Sequence, residues 1–366
     1  MSARSPSGPL APNSVIGILG GGQLGRMLVL AAARLGFDCC VLAPESDSPA
    51  MRVAASQIVA AYDDEAALAA FAGQCDVATF EFENVPAKTI LHLQDQALVV
   101  APGPRALAVA QDRVSEKTFF AGRGIGCAPF AAIDSATDIL DALDRLGSPA
   151  ILKTRREGYD GKGQTVVTSA QDAHDAFDRI GRLPAILEGK AAFVRELSVI
   201  IARGWSGEIA AYPPGWNQHE AGILRRTVTP APSSPDTLAR AVEIARSLVE
   251  GLDYVGVMGV ELFEMADGAL WVNEIAPRVH NTGHWTLDAC EVDQFEQHIR
   301  AIAGWPLGPT QPFAAAEMIN LLGADADQWA KLAGDPGARL WLYGKSGAAP
   351  GRKMGHVNRL TGPFPS

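Results

Sequence analysis

Cysteine is scarce in this chain and falls into no useful pattern: the five are Cys39, Cys40, Cys75, Cys127 and Cys290. The count is odd, two are adjacent and no C-x-x-C occurs, which argues against a disulfide framework and a zinc site. A reducing cytosol, and so a cytoplasmic location, fits that usage. Long apolar runs are missing too; none approaches the eighteen residues of a membrane-spanning helix. Positive charge is in deficit, with 31 Lys and Arg against 41 Asp and Glu and a formal charge of −10. Nucleic acid and anionic membranes need a basic face, so neither is expected as a partner. Residues 1–14, MSARSPSGPLAPNS, lack the apolar segment of a signal peptide and read as a flexible polar tail.

What is there is ordinary globular composition, 48% apolar and 20% charged, in 366 residues. That is enough for two or three domains with ample cores. Over 15–111 short apolar strands alternate with helices (VIGIL, GRMLVLAAARLG, DCCVLA, DEAALAAFAG, DVATFEF, ALVVAP). Such alternation predicts a doubly wound parallel α/β sheet. One helical stretch, RALAVAQDRVSEKTFFAGRG, follows. Residues 112–192 read as a linker and a small α+β unit, with strands at APFAAI, AILKT, QTVVT and AILEG and a helix over 135–146. From 193 to 309 the pattern is antiparallel, with FVRELSVIIARG, GEIAAYPP, a long helix over 235–251, a hairpin and a helix over 293–303. Residues 310–366 make a last segment.

Two glycine-rich loops stand out. VIGILGGGQLGRML contains G-x-G-x-x-G as Gly20, Gly22 and Gly25, and Glu45 lies twenty residues beyond Gly25. This matches a dinucleotide fingerprint, which would make the chain an NAD(P)-dependent oxidoreductase, but the motif alone is weak. The second loop follows Lys153 in ILKTRREGYDGKGQTVV. It is not a Walker A loop, because no G-K-[ST] and no helix follow. A glycine-rich hairpin can still lay backbone amides over a triphosphate.

The stretch VMGVELFEMADGALWVNEI, residues 257–275, is the most informative. Asp267-Gly268 between apolar runs predicts a two-residue turn, which pairs Ala266 with Ala269 and sets Glu261 directly opposite Glu274. Such residues have Cβ atoms roughly 4.5–5.5 Å apart, where like charges destabilise a sheet. A shared divalent cation would compensate, and Mg²⁺ characteristically takes one or two carboxylates together with phosphates. The alternatives are a solvated face that screens the repulsion, or a bulge that separates the pair. Beyond Glu274 runs a dense polar string that would place Arg278 near a transferring phosphoryl group.

Lys153, GYDGKGQ, Glu188, Glu196, Glu261 and NEIAPRVHNTGHW together resemble the ATP-grasp superfamily and, within it, the carboxyaminoimidazole ribonucleotide synthetases of purine biosynthesis. The resemblance runs from GGGQLGRM to GRKMGHVN. It implies an ATP-grasp fold: an N-terminal doubly wound α/β domain, a small lid and a central antiparallel domain, with ATP between two sheets. It implies that ATP, bicarbonate and aminoimidazole ribonucleotide give the N-carboxylated nucleotide through carboxyphosphate, and it implies a homodimer.

Carried over by motif, Lys153 and Arg113 contact ATP phosphates beneath a loop of Gly158, Tyr159, Asp160, Gly161, Lys162, Gly163 and Gln164. Glu188, Gly189, Lys190 and Ala191 receive the adenine, Glu196 the ribose hydroxyls, and His219 and Asn273 further parts of the nucleotide. Glu261 and Glu274 become Mg²⁺ ligands. Arg278 serves the phosphoryl step, Asp160 the reacting amine, and His280 a further site role, while His284 is structural. Arg352 and Lys353 resemble contacts to the ribonucleotide phosphate, with Lys353 also near the reaction. Gly22, Gln23, Leu24 and Glu81, with Asn84 at their border, would then face the ribonucleotide rather than a nicotinamide cofactor, and Glu45 would be surface. Thr282 stands where the family has Ser. The chain ends soon after GRKMGHVN, where the family pattern continues through another helical segment.

Overall fold

The computed structural model describes residues 8–158 and 163–365. Tyr159, Asp160, Gly161 and Lys162 lie outside the described residues. Strands β1 (Val15–Leu19), β2 (Asp38–Ala43), β3 (Ser56–Val59), β4 (Val77–Phe80) and β5 (Val99–Val100) form a parallel sheet in the order β3-β2-β1-β4-β5. Helices α1 (Gln23–Arg34), α2 (Glu65–Ala72) and α3 (Ala87–Asp95) make the crossovers. β2 is buried from Cys39 to Ala43, as a parallel strand covered on both faces must be. β3 and α3 escaped the sequence reading. β3 is a half-exposed four-residue edge, and α3 buries only Thr89, Ile90 and Leu93.

The helical stretch read as continuous is two helices, α4 (Pro104–Ala110) and α5 (Arg113–Gly122). Asp112 divides them. Its carboxylate accepts from the amides of Val114 and Ser115, both at 3.1 Å, so a side chain between the periodic runs starts a new helix. The same carboxylate accepts from Arg155 at 2.7 Å and pairs with Arg156 at 3.1 Å. It thereby ties α5 to the base of the second glycine loop.

The lid is an antiparallel sheet of β6 (Phe130–Ile133), β7 (Ala150–Thr154), β8 (Gln164–Val167) and β9 (Ala185–Gly189), ordered β6-β9-β7-β8. α6 (Ala136–Leu146) and α7 (Asp172–Arg179) close its core around Leu152, Leu187, Ile139 and Phe177.

Nine strands form the central sheet: β10 (Phe193–Arg203), β11 (Ile209–Ala211), β12 (Gly215–Glu220), β13 (Ile223–Thr229), β14 (Gly256–Met265), β15 (Leu270–Ala276), β16 (Ala314–Leu322), β17 (Arg339–Leu342) and β18 (Lys353–Pro363). Their order is β15-β14-β10-β12-β13-β16-β18-β17, with β11 beside β10. The polar hairpin β12–β13, GWNQHEAGILRRT, gave no clear strand signal. Residues 310–366 extend this same sheet, because β16 pairs with β13 and β18, carrying GRKMGHVN, pairs with β16. α8 (Pro235–Gly251), α9 (Thr286–Ala289), α10 (Gln294–Ile302) and α11 (Trp329–Ala333) complete the chain.

α1 packs on α10, joining the N-terminal and central units in one core around Leu28, Phe295 and Ile299. His298 of α10 bridges them. Its Nδ1 accepts from the Val257 amide at 3.0 Å, and its Nε2 lies 2.8 Å from the Thr79 hydroxyl. Burial pushes the His298 pKa down to about 3, so the ring is neutral and its two nitrogens serve one as acceptor and one as donor.

Asp112 supplies a test of the linker. Burial opposes its ionisation, but the Arg155 hydrogen bond, the Ser115 amide and the two guanidinium charges outweigh that and hold its pKa below the usual aspartate value. Stability from a depressed carboxylate is complete above its unfolded pKa of about 3.9 and is lost as pH falls through the folded value. Asp112→Asn is expected to cost up to about 1 kcal/mol at pH 7 and nothing at a pH below the folded value. Thermal unfolding of both proteins across that range measures this; equal Tm values at pH 7 would remove the linkage.

Candidate active site

β14 and β15 set Glu261 opposite Glu274, as the sequence predicts, but by a different route. The turn holds three residues rather than two. The Met265 amide donates to Ala269 O and the Gly268 amide to Met265 O, each at 2.9 Å, and Gly268 sits at φ +81°, a left-handed value that favours glycine. That turn alone would slip the register by one residue and send the two carboxylates to opposite faces. A bulge at Asn273 restores it: Leu262 pairs with Val272, and Glu261 with Glu274. The bulge considered as something that would separate the pair is what brings it together.

The pair is unequal. Burial disfavours the Glu274 carboxylate, yet Arg113 and Lys153 hold its pKa below the ordinary value, with Arg113 3.3 Å away. Burial and the charge of Glu274 push Glu261 up to about 7. Two opposed carboxylates, one of them driven toward protonation by the other, form a site short of positive charge and fit a divalent cation. No group of three His, Cys, Asp or Glu side chains converges among the described residues. Mg²⁺ characteristically takes one or two carboxylates together with phosphate and water oxygens, and Glu261 and Glu274 are the pair that would hold it here.

Around the pair lies a cavity of about 370 Å³. It brings together residues far apart in sequence: Arg113, Lys153, Gly158 and Gln164 from the linker and lid, and Glu196, His219, Asn273, Arg278, His280 and Lys353 from the central sheet and its loops. Asn84 borders it from the N-terminal unit. Arg113 also donates to the Gly158 carbonyl at 3.1 Å. Glu196 pairs with His219. Burial works against a charged His219, but the Glu196 hydrogen bond and the charge of Glu261 raise its pKa. Arg278 pairs with Glu83 at 2.8 Å, and its Nε has no hydrogen-bond partner among the described residues. His280 has its Nδ1 2.8 Å from the Thr282 hydroxyl, and its Nε2 lies 3.9 Å from Glu261. Burial, with the nearby charges of Arg278 and Lys353, drives its pKa well down. His284 is buried, 4.7 Å from the His356 ring and hydrogen-bonded to Gln294.

Comparisons with known proteins show the family of the chain. Residues 14–111 match the ribonucleotide synthetase preATP-grasp domain, 118–295 the ATP-grasp domain, and 316–362 the phosphoribosylaminoimidazole carboxylase C-terminal domain. The N5-carboxyaminoimidazole ribonucleotide synthase of Brucella melitensis is 50% identical over 96% of this chain and 97% of its own length. The chain belongs to the N5-carboxyaminoimidazole ribonucleotide synthase family. It is thus an ATP-grasp ligase of purine biosynthesis. A Staphylococcus aureus N5-carboxyaminoimidazole synthetase complexed with ADP superposes with TM-score 0.92 at 37% identity, covering 97% of this chain and 95% of that one. An Aspergillus clavatus synthase in complex with ADP and 5-aminoimidazole ribonucleotide gives 0.90 at 30% identity, covering 96% and 94%.

In this family member the first glycine loop holds a carboxyl side chain of its own. The amides of Gly22 and Gly25 donate to the Glu81 carboxylate at 2.9 and 3.2 Å, filling the start of α1 where a pyrophosphate would sit. Gly20, at φ +111°, and Gly22 are needed for that approach: an added Cβ would lie 2.4 Å from Glu81 Cγ and 2.6 Å from Glu81 Oε1 respectively. Glu45 is exposed, as the reading of it as a surface residue expects.

Several expected site residues lie outside the cavity lining: Gly22, Gln23, Leu24, Glu81, Gly163, Arg352 and the run Glu188 to Ala191. Arg352 donates to the Ser346 and Gly347 carbonyls at 2.6 and 3.1 Å. Glu188 is buried between Lys153, at 2.8 Å, and Lys117, at 3.6 Å. Burial opposes its charge, but the two lysines hold its pKa down. The sequence reading missed Glu83, Glu116 and Lys117. The one signal available was the spacing of Arg113, Glu116 and Lys117, which share a face of α5.

Removing one member of a buried charged cluster leaves its partners uncompensated. Glu188→Gln is expected to lower stability by about 3 kcal/mol, read as a shift of the urea midpoint. An unchanged midpoint would mean that the two lysines do not need this carboxylate.

Proposed function

We propose that this cleft carboxylates 5-aminoimidazole ribonucleotide to N5-carboxyaminoimidazole ribonucleotide, using ATP and bicarbonate through carboxyphosphate. The observation that carries the reading is the Glu261–Glu274 pair facing Arg113 and Lys153 in one cavity with Arg278 and Lys353. Lys153 and Arg113 bind the ATP phosphates, and the 158–164 loop covers them. Glu196 and His219 take the ribose, Asn273 a further nucleotide contact, and the Glu188–Ala191 run the adenine edge. Mg²⁺ on Glu261 and Glu274, when bound, supplies charge neutralisation between the phosphates.

A bicarbonate oxygen attacks the γ-phosphorus and ADP leaves, giving carboxyphosphate. Arg278 faces that step as a fixed cation in a secluded site, where such a charge acts strongly. The exocyclic amine of the ribonucleotide then attacks the carboxyl carbon, phosphate departs, and the amine proton passes to a base, for which we assign Asp160. His280, neutral and hydrogen-bonded to Thr282, orients groups beside Glu261 without adding charge. Gly22, Gln23, Leu24 and Glu81 border the ribonucleotide, and Arg352 and Lys353 serve its phosphate. The lid excludes water from the labile intermediate. A homodimer working in the cytoplasm belongs to the same proposal.

A coupled assay of ADP release with ATP and Mg²⁺ tests it. Release is expected to depend on both bicarbonate and aminoimidazole ribonucleotide; release indifferent to the ribonucleotide would assign another acceptor. Glu274→Gln is expected to lose at least about 10²-fold in ADP formation with Tm within a few degrees of wild type. Near wild-type activity in that variant would contradict the metal pair.

A further inference from the structure

β15 ends the central sheet on one side, and an edge strand leaves a row of backbone groups that need partners; the Val272 amide finds one in the Gly126 carbonyl at 2.8 Å. The bulge adds to that need, since Asn273 has no register partner on β14. α5 meets it with three side chains on one face, spaced i, i+3 and i+4. Lys117 Nζ donates to the Asn273 carbonyl at 3.0 Å. Arg113 donates to the Glu274 carboxylate at 3.3 Å. The Ile275 amide donates to Glu116 Oε1 at 2.8 Å. Three consecutive residues, with the expected metal ligand in the middle, are thus held by three residues of one helix.

Glu116 and Lys117 are each only 2% exposed, a rare state for ionisable side chains unless they are paired or hydrogen-bonded. Lys117 also pairs with Glu188 at 3.6 Å, whose other oxygen holds Lys153 at 2.8 Å. Linker, lid and hairpin therefore meet on one buried ammonium.

We propose that Glu116 and Lys117 are positioning residues for the nucleotide–metal site, fixing Glu274 through the backbone of β15 and Lys153 through Glu188. The inference rests on the nucleotide and metal reading given above. It explains why a bulged outer strand, a poor scaffold by itself, can aim a metal carboxylate: metal affinity depends on the groups that orient the ligands as well as on the ligands.

The test is Mn²⁺ binding, followed by electron paramagnetic resonance, in the presence of a non-hydrolysable ATP analogue. Lys117→Met and Glu116→Leu are expected to weaken Mn²⁺ binding at least about tenfold, with the KM for aminoimidazole ribonucleotide within about twofold of wild type, since neither is among the residues proposed to border that substrate. Glu116→Gln retains an oxygen for the Ile275 amide and is expected to bind within about threefold of wild type. Lys117→Arg keeps the charge but cannot place one nitrogen between Asn273 and Glu188; it is expected to weaken binding and serves where the Met variant fails to fold. Wild-type Mn²⁺ affinity in the Lys117 and Glu116→Leu variants would overturn the inference, as would Glu116→Gln binding no better than Glu116→Leu. Failure of the wild type to bind Mn²⁺ with the analogue would overturn the nucleotide reading itself, and this inference with it.

Discussion

Two carboxylates held face to face across a hairpin are the constraint to which the rest of the cleft answers. Glu261 and Glu274 are opposed on neighbouring strands, where like charges repel, and the burial of Glu261 makes the repulsion worse. The surroundings favour the two unequally: Arg113 and Lys153 hold the pKa of Glu274 down, whereas burial and the charge of Glu274 push Glu261 up to about 7 despite His219 nearby. A protein optimised for stability alone would not keep such a pair. It makes physical sense in a site that receives a cation with a polyphosphate, and the lid, linker and central sheet all contribute residues to the cavity around it.

The same logic of charge placement separates the two glycine loops. At the first, the helix N-terminus already holds the Glu81 carboxylate on two backbone amides, so the motif keeps its geometry without acting as a pyrophosphate cradle. At the second, Lys153 and Arg113 stand beside the loop with the acidic pair facing them. Glycine marks the close approach of something in both places; the charges nearby decide what.

Much of this was legible in the sequence where the signal is local. The parallel sheet followed from apolar strands alternating with helices, and the long helix read over 235–251 is α8, Pro235–Gly251. The opposed pair was reached although the turn was read one residue short, because the bulge at Asn273 supplies the missing residue; two departures from an ideal hairpin cancel. What stayed hidden depends on contacts across the fold. Nothing in RALAVAQDRVSEKTFF announces that Asp112 breaks the helix, since its partners Arg155 and Arg156 lie far along the chain, just after β7. The β12–β13 hairpin is too polar to read as strands. Lys117 and Glu116 look like an ordinary solvated pair until β15 and Glu188 are laid over them, and nothing local in the sequence announces that two lysines hold the Glu188 carboxylate.

The most direct test of the central claim is a crystal structure of the protein with Mn²⁺ and a non-hydrolysable ATP analogue, using the anomalous signal of the metal. The account predicts a peak between the Glu261 and Glu274 carboxylates with phosphate oxygens completing its shell. A metal bound to phosphate alone, with the two carboxylates turned away or bridged by a proton, would contradict it.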